Sequence, residues 1–186
     1  MGLPLRDILS VGALILLSVL SVQARASHPT QYEVEAAYLY QFGNFVQWPS
    51  NSGADRLKAF TICVLGQDRF GTVLEDTVRG SKMNTLPMVA RRIAYVRDAA
   101  GCQILFISSS QQDQLAADLL ALRGQPILTV SDIPDFAARG GMIQFVMIDN
   151  RVRFKIGLPS AQNAGLKLSS QLLKVAVAVR SGANSK

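Results

Sequence analysis

Three short apolar runs stand out along the chain: Phe60 to Leu65, Gln103 to Ser108 and Pro126 to Val130, each too short for a helix and each followed by Gly, Ser or Asp. Runs of this kind predict strands buried on both faces, as in parallel sheets. Between the second and third, "SQQDQLAADLLALRG" predicts a helix that starts at Ser109, with Gln112 completing a capping box, and stops at Gly124. Strand, helix and strand make a βαβ unit. "DRFGTVLEDTV", after the first run, predicts a short helix, and "PMVARRIAYV" predicts a further strand whose register the pattern leaves open.

From Met142 the pattern changes to alternation. "MIQFVMI" and "RVRFKI", separated by Asp149-Asn150, predict a hairpin with a two-residue turn. On its second strand Val152, Phe154 and Ile156 face one way and Arg151, Arg153 and Lys155 the other. Three cations on one face can hold an anion or an acidic partner, but a solvated sheet edge guarded by charge predicts the same pattern.

Helical spacing appears at both ends of this region. Residues 31 to 48 place Val34, Ala37, Tyr38, Phe42, Phe45 and Trp48 on one side of an amphipathic helix that Pro49 ends. Its aromatic stripe (Tyr38, Phe42, Phe45, Trp48) either packs on the core or offers a partner a surface. "NSGADR" reads as a loop, and "AQNAGLKLSSQLLKVAVAVR" predicts a last helix packed along the sheet. With no internal repeat and no linker, the 186 residues predict a single three-layer α/β domain: a mostly parallel sheet, an antiparallel hairpin in its C-terminal part, and flanking helices.

The first residues change the picture of where this domain works. Arg6 precedes an apolar run from Ile8 to Val22, and small residues follow in "VQARAS", the order of a secretory signal peptide. The run is shorter than the roughly 20 residues of a membrane-spanning helix. Cleavage is expected after Ala24 or Ala26, leaving a domain over residues 27 to 186, and no Cys follows the run to accept a lipid. Removing Met1 to Ala26 takes away Arg6, Arg25 and Asp7, so the formal charge falls only from +6 to +5. A basic chain favours acidic partners, anions or membrane surfaces. Its cations are scattered, with Arg91-Arg92 and Arg151, Arg153 and Lys155 the only clusters, and no nucleic-acid motif is present. Cys63 and Cys102 allow one intramolecular disulfide in an oxidising compartment, or two buried thiols.

Candidate chemistry is confined to the carboxyl ends of the predicted strands, the usual ligand crevice of an open α/β sheet. These ends carry Asp68, Ser108, Ser109, Ser131 and Asp132, which with nearby helix N-termini suit a small phosphate or carboxylate. The same residues also suit helix N-caps, and Ser131-Asp132 is expected to start a short helix, "IPDFAARG", that Gly140-Gly141 ends. The one histidine, His28, lies near the start of the exported chain, so no Ser-His-Asp or Cys-His set is predicted. No metal-ligand spacing and no nucleotide-binding glycine pattern is present, so neither metal nor cofactor is expected, nor is catalysis.

Taken in order, "EAAYLYQFGNFVQWP", "FTICVLGQDRFG", "CQILFISSS", "PILTVSDIPDFAARGGMIQF" and "NRVRFKIGLPSAQNAGLKLSSQLLKVA" resemble the YfiR family of exported bacterial proteins, from Tyr32 to about Val179. The resemblance implies a periplasmic α/β domain that represses an inner-membrane diguanylate cyclase and so lowers cyclic di-GMP. It also implies an outer-membrane protein that sequesters the repressor, with a homodimer among the possible assemblies. Cys63 and Cys102 match the pair that forms the family's stabilising disulfide. A second disulfide found in some members has no counterpart here, since "GMIQFVMIDNRVRF" contains no Cys. A periplasmic binding protein for a small anion or metabolite is the alternative.

Overall fold

A computed structural model describes residues 28–49 and 58–181. The predicted signal peptide, the whole "NSGADR" loop and the last residues lie outside the described part. The described chain runs α1 (Gln31–Phe45), β1 (Val46–Gln47), β2 (Phe60–Leu65), α2 (Val73–Val78), β3 (Lys82–Met83), β4 (Leu86–Ile93) and β5 (Ile104–Ile107). It continues through α3 (Leu115–Ala121), β6 (Leu128–Ser131), β7 (Ile143–Ile148), β8 (Arg151–Gly157), α4 (Leu158–Asn163), β9 (Lys167–Leu168), α5 (Ser170–Val175) and β10 (Ala178–Arg180). Single turns of 3-10 helix at Val96–Ala99 and Ser109–Gln111 fill two of the connections.

Eight strands form one sheet in the order β10-β8-β7-β6-β5-β2-β4-β3, while β1 and β9 pair separately. β4, β2, β5, β6 and β7 are parallel neighbours, and β7–β8 is the antiparallel hairpin. The register of β4, left open by the sequence, sets Phe60 against Met88 and Leu65 against Ile93.

Alternation along the central strands divides the core in two. Ile62, Val64, Ile104, Phe106, Leu128, Val130, Ile143 and Phe145 face the layer that contains α1 and α2. Cys63, Leu65, Leu105 and Ile107 face the other way, against Leu115 and Leu122 from the α3 segment and against Ile133 and Phe136. These two cores are the three layers predicted from the runs of apolar residues.

On the first face α1 inserts Leu39 and Phe42, both buried, and Phe42 meets Phe154 edge-on with ring centroids 5.3 Å apart. Tyr38 stacks on Phe42 and meets Phe154 at 5.4 Å. The helix starts in a capping box: Thr30 Oγ1 accepts from the Glu33 N–H and Glu33 Oε2 accepts from the Thr30 N–H. Its buried face is Glu35, Ala36, Leu39, Phe42 and Gly43, whereas Ala37 is exposed, so the stripe lies about one residue away from the predicted one. The helix also ends early. Val46 turns to extended backbone and pairs with Leu168.

On the second face a disulfide joins Cys63 and Cys102, with 5.9 Å between their Cα atoms, tying β2 to the loop before β5. Arg91 caps that loop: its Nη2 donates to the Ala100 and Asp98 carbonyls at 3.0 and 3.1 Å and lies 3.2 Å from Cys102 Sγ. The Asp149-Asn150 turn of the hairpin has φ of 48° and 57°, the pair of positive values that a type I′ turn requires.

Three predicted helices are corrected. The segment after β5 is not one helix from Ser109: buried Ser108 caps a 3-10 turn by accepting from Ser110 N–H, and α3 begins only at Leu115. No capping box between Ser109 and Gln112 forms, though Gly124, at φ 73°, does end the segment. "IPDFAARG" is a series of turns, because Asp135 adopts φ 57° and its carbonyl accepts from both Ala138 and Arg139. The predicted last helix splits at Gly165, φ 74°, and at Ser169, whose Oγ caps α5 by accepting from Leu172 N–H. Its Val-Ala-Val alternation had a strand period, and it ends as β10, parallel to β8.

The disulfide closes a loop of 39 residues. In the chain-entropy model such a closure stabilises by about 4 kcal/mol, less strain. Cys63→Ser and Cys102→Ser are expected to lower Tm by similar amounts and the double variant to add little. Full additivity of the two losses in thermal unfolding would refute the shared bond.

Candidate functional site

Beyond the carboxyl ends of β2, β5 and β6 the predicted polar residues are present, and most are committed to the fold itself. Asp68 accepts from Phe70 N–H at 2.8 Å and from Arg92 Nε and Nη2 at 2.9 and 2.7 Å. Arg92 also pairs with Glu75 and donates to the Gly71 carbonyl at 2.6 Å, so it fastens the β2–α2 connection to β4. Ser131 Oγ donates to the Ile107 carbonyl at 2.6 Å and accepts from Ile133 N–H at 3.0 Å, which places its hydroxyl inside the sheet. Ser108 caps the following turn.

Ser109 Oγ is buried without a partner. Two carboxyl groups are left over as well, and they meet. At the end of β6 the chain turns away through Asp132, Ile133 and Pro134, while β7, paired to β6 only at Ile143 and Gln144, runs on to Ile148. The gap between them is a cavity of about 290 Å³, lined by Asp132, Pro134, Gln144, Phe145, Val146 and Met147 and by Gln31 and Glu35 from the first turns of α1. Glu35 has no exposed surface. Its Oε1 accepts from Gln31 Nε2 at 2.8 Å, its Oε2 has no partner, and Asp132 Oδ1 has none either.

The electrostatics follow from burial without a counter-ion. Loss of solvent pushes the Glu35 carboxyl up to about 7; the Gln31 hydrogen bond opposes this, the Asp132 charge adds to it and Arg69 opposes it weakly. Asp132 is also raised, chiefly by burial, with its own and the Ser109 backbone N–H groups and Arg69 acting against the rise. Arg69 is on the surface and donates to the Tyr32 hydroxyl at 3.2 Å. It forms no ion pair with either carboxylate.

Sequence reasoning placed Asp132 in the crevice and missed Glu35. The available signal was its position on the buried stripe of α1, four residues before Leu39 and seven before Phe42. It also missed the larger cavity, about 620 Å³, at the opposite, amino ends of the strands, where Trp48, Phe60, Met83, Leu86, Gln103 and Ile127 are among the walls. Trp48 Nε1 is buried there without a partner.

The candidate partner-binding residues divide. Phe42 lies in the core, and Tyr38, Phe45 and Trp48 are half-buried against it. On the hairpin, β10 pairs with Lys155, Ile156 and Gly157 and Val177 N–H donates to the Phe154 carbonyl, so β8 is a sheet edge only along its first residues, Arg151 to Arg153. There Arg151 is exposed and Arg153 half-exposed, and across the hairpin Met147 and Ile148 are exposed at 46% and 41%. Among the described residues no group of three or more His, Cys, Asp or Glu side chains is placed to hold a metal, and no helix is long and apolar enough to cross a membrane.

These features define a disulfide-tied α/β domain with an acidic crevice at its strand ends and a cationic, apolar hairpin tip. The chain matches the YfiR/HmsC-like family across residues 32–177, and it belongs to that family. A comparison with curated proteins returns no match.

The carboxyl pair makes stability depend on pH. Glu35 holds its proton more tightly folded, near 7, than at its ordinary value of 4.5, so between these values the native state binds more protons and stability falls as pH rises. Asp132, also raised, acts in the same direction, and the Arg69 charge lessens the rise of both. Glu35→Gln is expected to raise Tm relative to the parent at pH 8, with the gain shrinking towards pH 5. An equal difference at the two pH values in calorimetry would show that Glu35 does not titrate in this window.

Proposed function

We propose that this chain is a periplasmic regulatory protein that binds the periplasmic part of an inner-membrane diguanylate cyclase, favours its inactive conformation and lowers cyclic di-GMP in the cytoplasm. Membership of the YfiR/HmsC-like family over residues 32–177 carries this reading. Met1 to Ala26 supports it, as the charged start, apolar run and small residues of a cleaved export signal. A disulfide buried in the second core suits an oxidising compartment.

The repressor acts without chemistry of its own. A bound protein shifts an equilibrium only by its unequal affinity for the two states, and coupling of about 1 to 3 kcal/mol is enough for a 5- to 150-fold change. The contact surface proposed is the outer end of the β7–β8 hairpin. Met147 and Ile148 provide apolar area that water leaves on binding, and Arg151 and Arg153 provide charge that selects an acidic partner. The aromatic helix is the weaker candidate, since its rings already fill the core. An outer-membrane protein that sequesters the chain would compete for the same face.

Deleting the chain is expected to raise cellular cyclic di-GMP several-fold, and re-expression to restore it. Arg151→Glu with Arg153→Glu is expected to leave the chain folded and exported but unable to restore it. Unchanged cyclic di-GMP on deletion would overturn the repressor reading. Full restoration by the double variant would return these arginines to the role of a charged sheet edge.

A further inference from the structure

The crevice at the end of β6 was expected to suit an anion, and its chemistry has the opposite sign. Two of its serine hydroxyls are occupied within the fold: Ser131 bonds the Ile107 carbonyl and Ile133 N–H, and Ser108 caps the next turn; Ser109 Oγ is buried without a partner but does not line the gap. Its amides are partly committed too, Gln31 to Glu35 and Gln144 to Ala137 N–H. Among the residues that line the gap, the buried atoms left unpartnered are acceptors: Glu35 Oε2, on a side chain with no exposed surface, and Asp132 Oδ1. A buried carboxylate with no paired cation and one oxygen lacking a donor is among the costlier arrangements in a fold. Among the described residues no Lys or Arg forms an ion pair with either group, and the nearest cation the two share, Arg69, stays at the surface on Tyr32.

We infer that this gap is a binding site for a small organic cation, a primary ammonium group carried on a short apolar chain. An ammonium presents three donors and no acceptor, which matches two acceptor oxygens that lack donors. Pro134, Phe145, Val146 and Met147 make the rest of the lining, and they match a hydrocarbon body. The volume, about 290 Å³, is at the lower end of small-ligand cavities. An anion would meet like charge. A divalent metal would find two carboxylates and no third His, Cys, Asp or Glu among the described residues. The site does not rest on the repressor reading, and the two stand or fall separately.

The test is a ¹H–¹⁵N NMR titration of the purified chain with n-butylammonium chloride at pH 8, where Glu35 is ionised, with n-butanol and sodium chloride as controls. Saturable shifts are expected at the amides of residues 31–36, 132–135 and 144–147, with neither control reproducing them. Glu35→Gln and Asp132→Asn are each expected to weaken binding about tenfold or more, the loss of one charged hydrogen bond. Affinity is expected to fall as pH drops through 7. If Glu35→Gln misfolds, Asp132→Asn carries the comparison alone. No saturable shift at these amides, equal shifts with n-butanol, or full affinity in the folded variants would overturn the assignment.

Discussion

The structure depends on the burial of β2, β5 and β6 on both faces. Thirteen of the fourteen residues in these strands are buried, and Thr61 alone is half-buried. A strand covered on both sides leaves no solvent to satisfy a stray polar group, so helices must close each face and polar side chains must find partners within the sheet. Thr129 illustrates the demand: its hydroxyl accepts from Met142 N–H at 3.2 Å, at the place where the chain re-enters the sheet as β7. Gln103 does the same at the other end by accepting from Thr61 N–H at 2.7 Å.

The two faces are closed by different means. On one, aromatic rings from α1, β7 and β8 interlock, with Tyr38, Phe42, Phe145 and Phe154 within 6.0 Å of one another in successive pairs. Such pairs add about 0.5 to 1.5 kcal/mol each beyond the area they bury. On the other, the aliphatic cover is thinner and made of turns as much as helix, and there the chain places its disulfide, with Arg91 binding the loop carbonyls around it. A covalent tie is most useful where the local backbone has few ladder bonds to hold it.

How far the sequence could be read follows from the same contrast. Unbroken apolar runs and the Asp149-Asn150 turn are local signals, and β2, β5, β6 and the hairpin stand where they predict. Misplaced elements are those decided by tertiary partners. The valines at 175, 177 and 179 fit a helix and a strand equally well by composition; Val175 ends α5, and pairing of Ala178 to Arg180 with Lys155 to Gly157 decides for a strand at Val179. "IPDFAARG" is helical by propensity, and the left-handed Asp135 breaks it. The crevice was legible through Asp132, at a strand end, but not through Glu35, which arrives from a helix nearly a hundred residues earlier in the chain. A carboxylate on a helix reads as solvent-facing until the stripe it lies on is known to within one residue.

β7 links these regions in a single element. Its first residues, Ile143 and Phe145, are fixed in the aromatic core; Gln144 to Met147 form one wall of the acidic crevice; Met147 and Ile148 then emerge beside Arg151 at the hairpin tip. Beyond Gln144 this strand has lost its partner on the β6 side and is held laterally by β8 alone. An occupant of the crevice and a protein at the tip would therefore press on the same half-supported segment, from its middle and from its end. Coupling between two such sites is reciprocal by thermodynamic necessity: whatever factor the occupant applies to partner affinity, the partner applies to the occupant. The core residues at the start of β7 cannot yield without disturbing Phe42 and Phe154, so any adjustment is confined to Val146 through Ile148 and the turn that follows.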